Sequence, residues 1–256
     1  MPLARTPGYS PAVSTREDWM RRLGPLYGGA VALVHSTPWR WPAEVAGDEA
    51  RSPLWVVALG VPIGVVAYVV AALAKGCGFP IAVAALLGLA TLTAASAGLI
   101  ERGLVERIDR SADTSSPTVP AILVLVFVTL VRAAAVLSVA PAAWLGVFVA
   151  TAVIGRWAAV FLQALGDPIL DDLSPRSLVA TPAPLWLTAA ISAGAVALTV
   201  VALGKGAIVV LAFSAAVAFG LGLDAQRRDR GLSSPIVACA AAAGELLTLL
   251  IATLHA

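Results

Sequence analysis

Charge is what this sequence has least of. Asp, Glu, Lys and Arg together make up 12% of its 256 residues, against about 25% in a soluble domain. So few charged side chains cannot cover the surface of a water-exposed globular domain of this length. Cysteine and histidine are nearly absent too. Cys77 and Cys239 lack metal-ligand spacing, and His35 and His255 have no partner nearby in sequence. Both cysteines read as small packing residues, and no disulfide framework or imidazole-thiolate metal centre is expected. There is no glycine-rich phosphate loop ending in Lys-Ser/Thr, no HExxH, no CxxC and no GxSxG. The common soluble nucleotide, metalloprotease, redox and hydrolase motifs are thereby excluded, and no nucleic-acid partner is expected.

What is present is apolar: 59% of the residues, with a mean hydropathy of +0.91. These residues form blocks of helix-spanning length without strand-type alternation. About 20 apolar residues cross a ~30 Å hydrocarbon core, and the backbone there must be satisfied internally, so each block is expected to be helical. Seven blocks qualify: Leu54–Ala74, Ile81–Ile100, Thr118–Ala140, Ala142–Leu165, Pro184–Leu203, Ala207–Leu223 and Pro235–Leu254. Lys75-Gly76, Phe79-Pro80, Pro117, Pro141, Pro182, Pro184, Lys205-Gly206 and Pro235 punctuate their ends. The expected fold is all-α, a polytopic transmembrane bundle of about seven spans over residues 54–256. An N-terminal arm, residues 1–53, precedes it.

Within the arm, Leu23–Val34 is apolar over about a dozen residues and follows Arg21-Arg22. That length suits an interfacial or re-entrant helix, or the core of a signal peptide, and the loop charges discriminate. Of 17 Lys and Arg, 13 fall on one side of the alternating spans: Arg5, Arg16, Arg21, Arg22, Arg40, Arg51, Arg102, Arg107, Arg110, Arg176, Arg227, Arg228 and Arg230. Only Lys75 and Lys205 fall on the other, while Arg132 and Arg156 lie inside spans. The positive-inside rule then places the N-terminus in the cytosol and the C-terminus outside a cell (inner) membrane. A cleaved signal peptide would invert this split, so Leu23–Val34 reads as a helix at the cytosolic surface.

Ionisable residues within a bilayer face the bundle interior or a water-filled cavity. Arg132, Arg156 and Glu245 lie inside their spans, and Asp224 lies at the wet end of the sixth. Two readings, which are not exclusive, follow: Glu245 pairs with Arg156 or Arg132 and ties the bundle together, and both arginines face a phosphate, which a guanidinium fork binds bidentately. The loop Glu101–Pro117 alternates charge signs, with Leu104 and Ile108 at helical spacing, and reads first as an amphipathic surface helix. Its hydroxyl-rich second half, around Asp113, Thr114 and Ser115, suits a turn over a phosphate. Asp167, Asp171 and Asp172 in the loop Gly166–Ala183 are weak candidates for Mg²⁺, since hard cations take carboxylate oxygens.

The order of several segments resembles one family, the cobalamin-5'-phosphate synthases (adenosylcobinamide-GDP ribazoletransferases). The segments are ALVHSTP before the first span, WVVALGVPIG from Trp55, ERIDRSADTSSPTVPAILVL, GRWAAVFLQALGD at Gly155–Asp167, and RGLSSPIVACAAAAGELLTLL near the C-terminus. The resemblance runs from about Ala30 onward and implies a Mg²⁺-dependent phosphotransferase of the last steps of cobalamin biosynthesis, with cobinamide and ribazole-type ligands. Asp113, Arg132, Arg156, Trp157 and Glu245 match its pattern. The departures fall on the implied metal site. The family's Leu-Asp-Gly-x-Ala-Asp-x-x-Asp-Gly-Leu motif lies over Leu89–Leu99, which reads LATLTAASAGL, so its aspartates become Ala90, Ala94 and Ala97. A fourth becomes Pro235, and two family arginines become Ser36 and Ser115. The Asp-Gly dipeptide of CDP-alcohol phosphotransferases occurs nowhere.

Pyrophosphate cleavage with GMP leaving relies on Mg²⁺ at the phosphate oxygens, and alanine cannot ligate it. The leading expectation is a pseudoenzyme, a partner subunit or ligand binder that keeps the scaffold without the metal. An active transferase with a metal site rebuilt from Asp113, Asp167, Asp171 or Asp172, and a small-solute transporter-like bundle around Arg132, Arg156 and Glu245, are the alternatives. The lipid bilayer is the expected surrounding, and a homo- or hetero-oligomer is compatible with all three.

Overall fold

The computed structural model describes residues 21–39, 53–109, 117–167, 169 and 184–254. Its described residues form ten α-helices and no strand. An all-α bundle with this many long apolar helices is a multi-pass membrane protein. Six helical stretches are long and apolar enough to cross a bilayer: Pro53–Gly76, Val119–Leu137, Pro141–Gln163, Leu185–Leu203, Gly206–Arg228 and Ser234–Thr253.

Before them, α1 (Tyr27–Ser36) is entered through a short 3₁₀ turn at Gly24–Leu26. At 10 residues it extends about 15 Å, half of a hydrocarbon core. Gly29 lets it lie flat against the ring of Trp55, while Tyr27, Val31 and Ala32 are buried. The expected N-terminal helix therefore forms within a few residues of its predicted position. The first span is α2 (Pro53–Ala58) running into α3 (Gly60–Gly76). Next come α4 (Ile81–Ala95), α5 (Leu99–Asp109), α6 (Val119–Leu137), α7 (Trp144–Gln163), α8 (Leu185–Leu203), α9 (Gly206–Arg228) and α10 (Ser234–Thr253). Pro141–Ala143 makes the tight turn expected between α6 and α7.

The central helix is α7, whose spanning window is 78% buried, against 22% for α6 and for α8. Small residues let its neighbours approach: Gly60 packs against the backbone of Ala152–Val153, Gly64 against Phe148–Val149, and Gly244 against Ile154. Close approach of this kind drives helix association where lipid removes the hydrophobic incentive. The same contacts fix direction, with α3 and α10 each antiparallel to α7. Gly146 meets Ala202, which places the end of α8 beside the start of α7. At the opposite end, Leu162 meets Gly222, and the loops after α7 and α9 exchange backbone hydrogen bonds, Leu232 N to Asp167 O and Ile169 N to Leu232 O.

The second span departs from expectation. The apolar block Ile81–Ile100 is not one straight helix. It breaks after α4, and α5 leaves at 69°. At 15 residues, α4 reaches only about 22 Å. Ala97 (φ 53°) and Gly98 (φ 63°) are both left-handed at the break. Glycine adopts that conformation freely, but alanine does so at a cost of about 1–2 kcal/mol. The amides of the break are still used: Ser96 N donates to Leu92 O and Thr93 O, Gly98 N to Thr93 O, and Arg102 N to Gly98 O. A break at membrane depth survives only with its backbone satisfied in this way. Together α4 and α5 still traverse the bundle, since α4 begins beside Lys75 and Arg107 of α5 bonds to Asp224 and Asp229 at the far end of α9.

Candidate functional site: a buried charge cluster at a helix break

The bundle interior holds three ionisable side chains that α6, α7 and α10 cannot turn toward solvent: Arg132, Arg156 and Glu245, exposed by 5%, 3% and 2%. Of the two arginines that the sequence offered Glu245 as partners, the structure bonds it to Arg132. Its Oε2 accepts from Arg132 Nη2 at 2.6 Å. Arg132 Nη1 donates to a second carboxylate, Glu101 Oε1 on α5, at 2.8 Å. Thr93 Oγ1 on α4 donates to the same Glu101 oxygen at 3.1 Å, across the break. One guanidinium thus joins α5, α6 and α10, and the two halves of the broken span meet at one carboxylate.

Arg156 has a different setting. It donates to Ser96 Oγ at 3.0 Å and to the carbonyl of Ala152 at 3.1 Å. Neither is charged, although Glu245 lies one residue away against Gly155, where an added Cβ would come within 2.5 Å of the Glu245 side chain. The cluster is incompletely bonded: Glu101 Oε2, Arg132 Nε and Arg156 Nε are buried without a hydrogen-bond partner. Each such atom costs about 1–3 kcal/mol.

Trp157 is not turned into this cluster. It stacks on Phe161, with ring centroids 5.3 Å apart, and donates to Ser192 Oγ on α8. It packs α7 against α8. Asp224, expected at the wet end of its helix, bonds to Arg107 and Arg228. Asp113, Thr114, Ser115, Asp171 and Asp172 lie outside the described residues, and Asp167 is exposed.

At the positions of the resembled family's aspartates, Ala90, Ala94 and Ala97 carry no ligating atom and Pro235 stands in the first turn of α10, behind the N-cap Ser233. Among the described residues no group of three His, Cys, Asp or Glu gathers.

Sequence reasoning missed Glu101, Ser96 and Thr93. Glu101 reads as the first residue of a charged surface loop, yet it is drawn inward. A signal existed: two arginines and one carboxylate inside spans leave a cation short of a partner, and Glu101, like Asp224, directly follows a span.

Comparisons with protein-family models, curated proteins and solved structures found no match for this chain.

Proposed function

We propose that this chain is a non-catalytic relative of the cobalamin-5'-phosphate synthases. On this reading it sits in the cytoplasmic membrane with its N-terminus in the cytosol. It holds a phosphate-bearing cobinamide or ribazole-type ligand, alone or beside an active partner subunit, without transferring it. The observation that carries the reading is the second span. Ala90, Ala94 and Ala97 stand along its exposed side up to the break, at the positions of the resembled family's aspartates. On the buried side of the same stretch Ser96 accepts from the retained Arg156, which has no carboxylate bonded to it. On this reading Arg156 is the anchor for an anion. The orientation is supported by the end of the bundle that gathers Arg102, Arg107, Arg227, Arg228 and Arg230.

The test is the full-length protein in lipid with adenosylcobinamide-GDP, α-ribazole phosphate and Mg²⁺. The expected result is no GMP release, with binding of one of these ligands that is lost in Arg156→Ala. GMP release abolished by Asp113→Ala or Asp171→Ala would instead establish an active transferase with a rebuilt metal site. A second reading is favoured by the break itself. Discontinuous helices with buried charges at mid-depth are a feature of transporters. Solute or ion flux into liposomes, lost in Glu245→Gln, would establish it.

A further inference from the structure

The charged helix α5 is held at both ends. Glu101, in its first turn, is pinned by Arg132 inside the bundle, and Arg107, in its last turn, is pinned by Asp224 and Asp229 at the rim, both at 2.8 Å. Between the pins it lies against the start of α10, where Gly103 permits direct contact with Ala238. Its only covalent tie to α4 is the break at Ala97–Gly98, where a non-glycine residue is left-handed. Strain of this kind persists only where the surroundings enforce it. In the inner pin Glu101 Oε2 and Arg132 Nε bond to no other protein group.

We infer that α5 is a strap that swings about Ala97–Gly98, closed by the Glu101–Arg132 and Arg107–Asp224/Asp229 pins and by Asp109, which accepts from the amide and hydroxyl of Thr118 before α6. Opening it uncovers the first turns of α10 and gives the loop-bearing end of the bundle access to Arg132. The inference does not depend on any ligand, so it stands or falls separately from the cobamide reading. The two pins differ in environment, and salt separates them: at about 1 M the Debye length falls to about 3 Å, which weakens the rim pin and leaves the buried one intact.

The experiment is hydrogen–deuterium exchange on the full chain in nanodiscs, at low and high NaCl, for wild type and Glu101→Ala. A second readout is maleimide labelling of Cys239, which follows Ala238 on α10 and lies within electrostatic reach of Arg107. A Cys77→Ala background removes the exposed thiol. In Glu101→Ala, exchange over 99–109 is expected to rise about tenfold at high salt, with faster Cys239 labelling and unchanged exchange in α7. Wild type is expected to change little with salt. Wild-type exchange and labelling in a monodisperse Glu101→Ala protein would overturn the strap, and so would an equal rise in every helix. If Glu101→Ala does not fold, Glu101→Gln, which removes the charge of the same inner pin, takes its place at high salt. A rise confined to 99–109 supports the strap, and unchanged exchange there overturns it.

Discussion

Two arginines in this molecule do the same thing in different surroundings. Arg132 joins Glu101 to Glu245, and Arg107 joins Asp224 to Asp229, each with one guanidinium forked between two carboxylates at 2.6–2.8 Å. The inner set is exposed by 6%, 19% and 3% at its side chains, and the outer by 20%, 38% and 21%. At the rim, water and ions stand in for any partner that is removed, so the pairs there contribute little. Inside the bundle nothing replaces a lost partner, and removing one charge strands the others in low dielectric. Equal geometry therefore gives unequal energetic weight, and the inner set specifies how α5, α6 and α10 meet more than it adds net stability.

The sharpest way to break this contrast is Arg132→Ala, which leaves Glu101 and Glu245 buried without their cation. It is expected to cost about 3–5 kcal/mol, seen as a large drop in melting temperature in detergent. Replacing the whole set in Glu101→Leu/Arg132→Met/Glu245→Leu should recover most of that loss, since exchanging buried ion pairs for apolar residues is often neutral. Failure to recover would mean that the set contributes net stability. Next, Gly155→Ala leaves every charge in place but drives a methyl into the Glu245 side chain. A loss of about 1–3 kcal/mol is expected on unfolding. Arg107→Ala should cost about 1 kcal/mol or less, shrinking further with added salt in the same melts. Smallest is Arg102→Ala, which removes the exposed pair with Glu106 at 2.5 Å and should shift stability by less than about 0.5 kcal/mol.

Much of the fold was legible because membrane physics permits so few solutions. Apolar blocks of about 20 residues, ended by proline and glycine, give spanning helices almost directly, and six helical stretches meet the length criterion near the expected positions. The break in the second span was hidden for the same reason. LATLTAASAGL carries no charge, and its three hydroxyls barely lower its hydropathy, so Gly98 alone hints that a left-handed residue fits there. Of the candidate site, burial of Arg132, Arg156 and Glu245 follows from their placement in spans, but their pairing does not. Which guanidinium meets Glu245 depends on helix rotation and on an acid, Glu101, carried inward by a bend that no local pattern announces. Trp157 matches a family segment, and what the structure adds is its packing, stacked on Phe161 and bonded to Ser192 of α8.

Breaking the second span also creates two electrical poles inside the bundle. A helix end carries about half an elementary charge, negative at its C-terminus and positive at its N-terminus. The C-terminus of α4 falls at Ser96, where the guanidinium of Arg156 is bonded, and the N-terminus of α5 holds Glu101 in its first turn. Each pole thus faces a side chain of the opposite sign. Arg156, which has no carboxylate bonded to it, finds part of its counter-charge in the backbone. A straight second span would withdraw both poles from the interior and leave Arg156 and Glu101 to be neutralised by other groups.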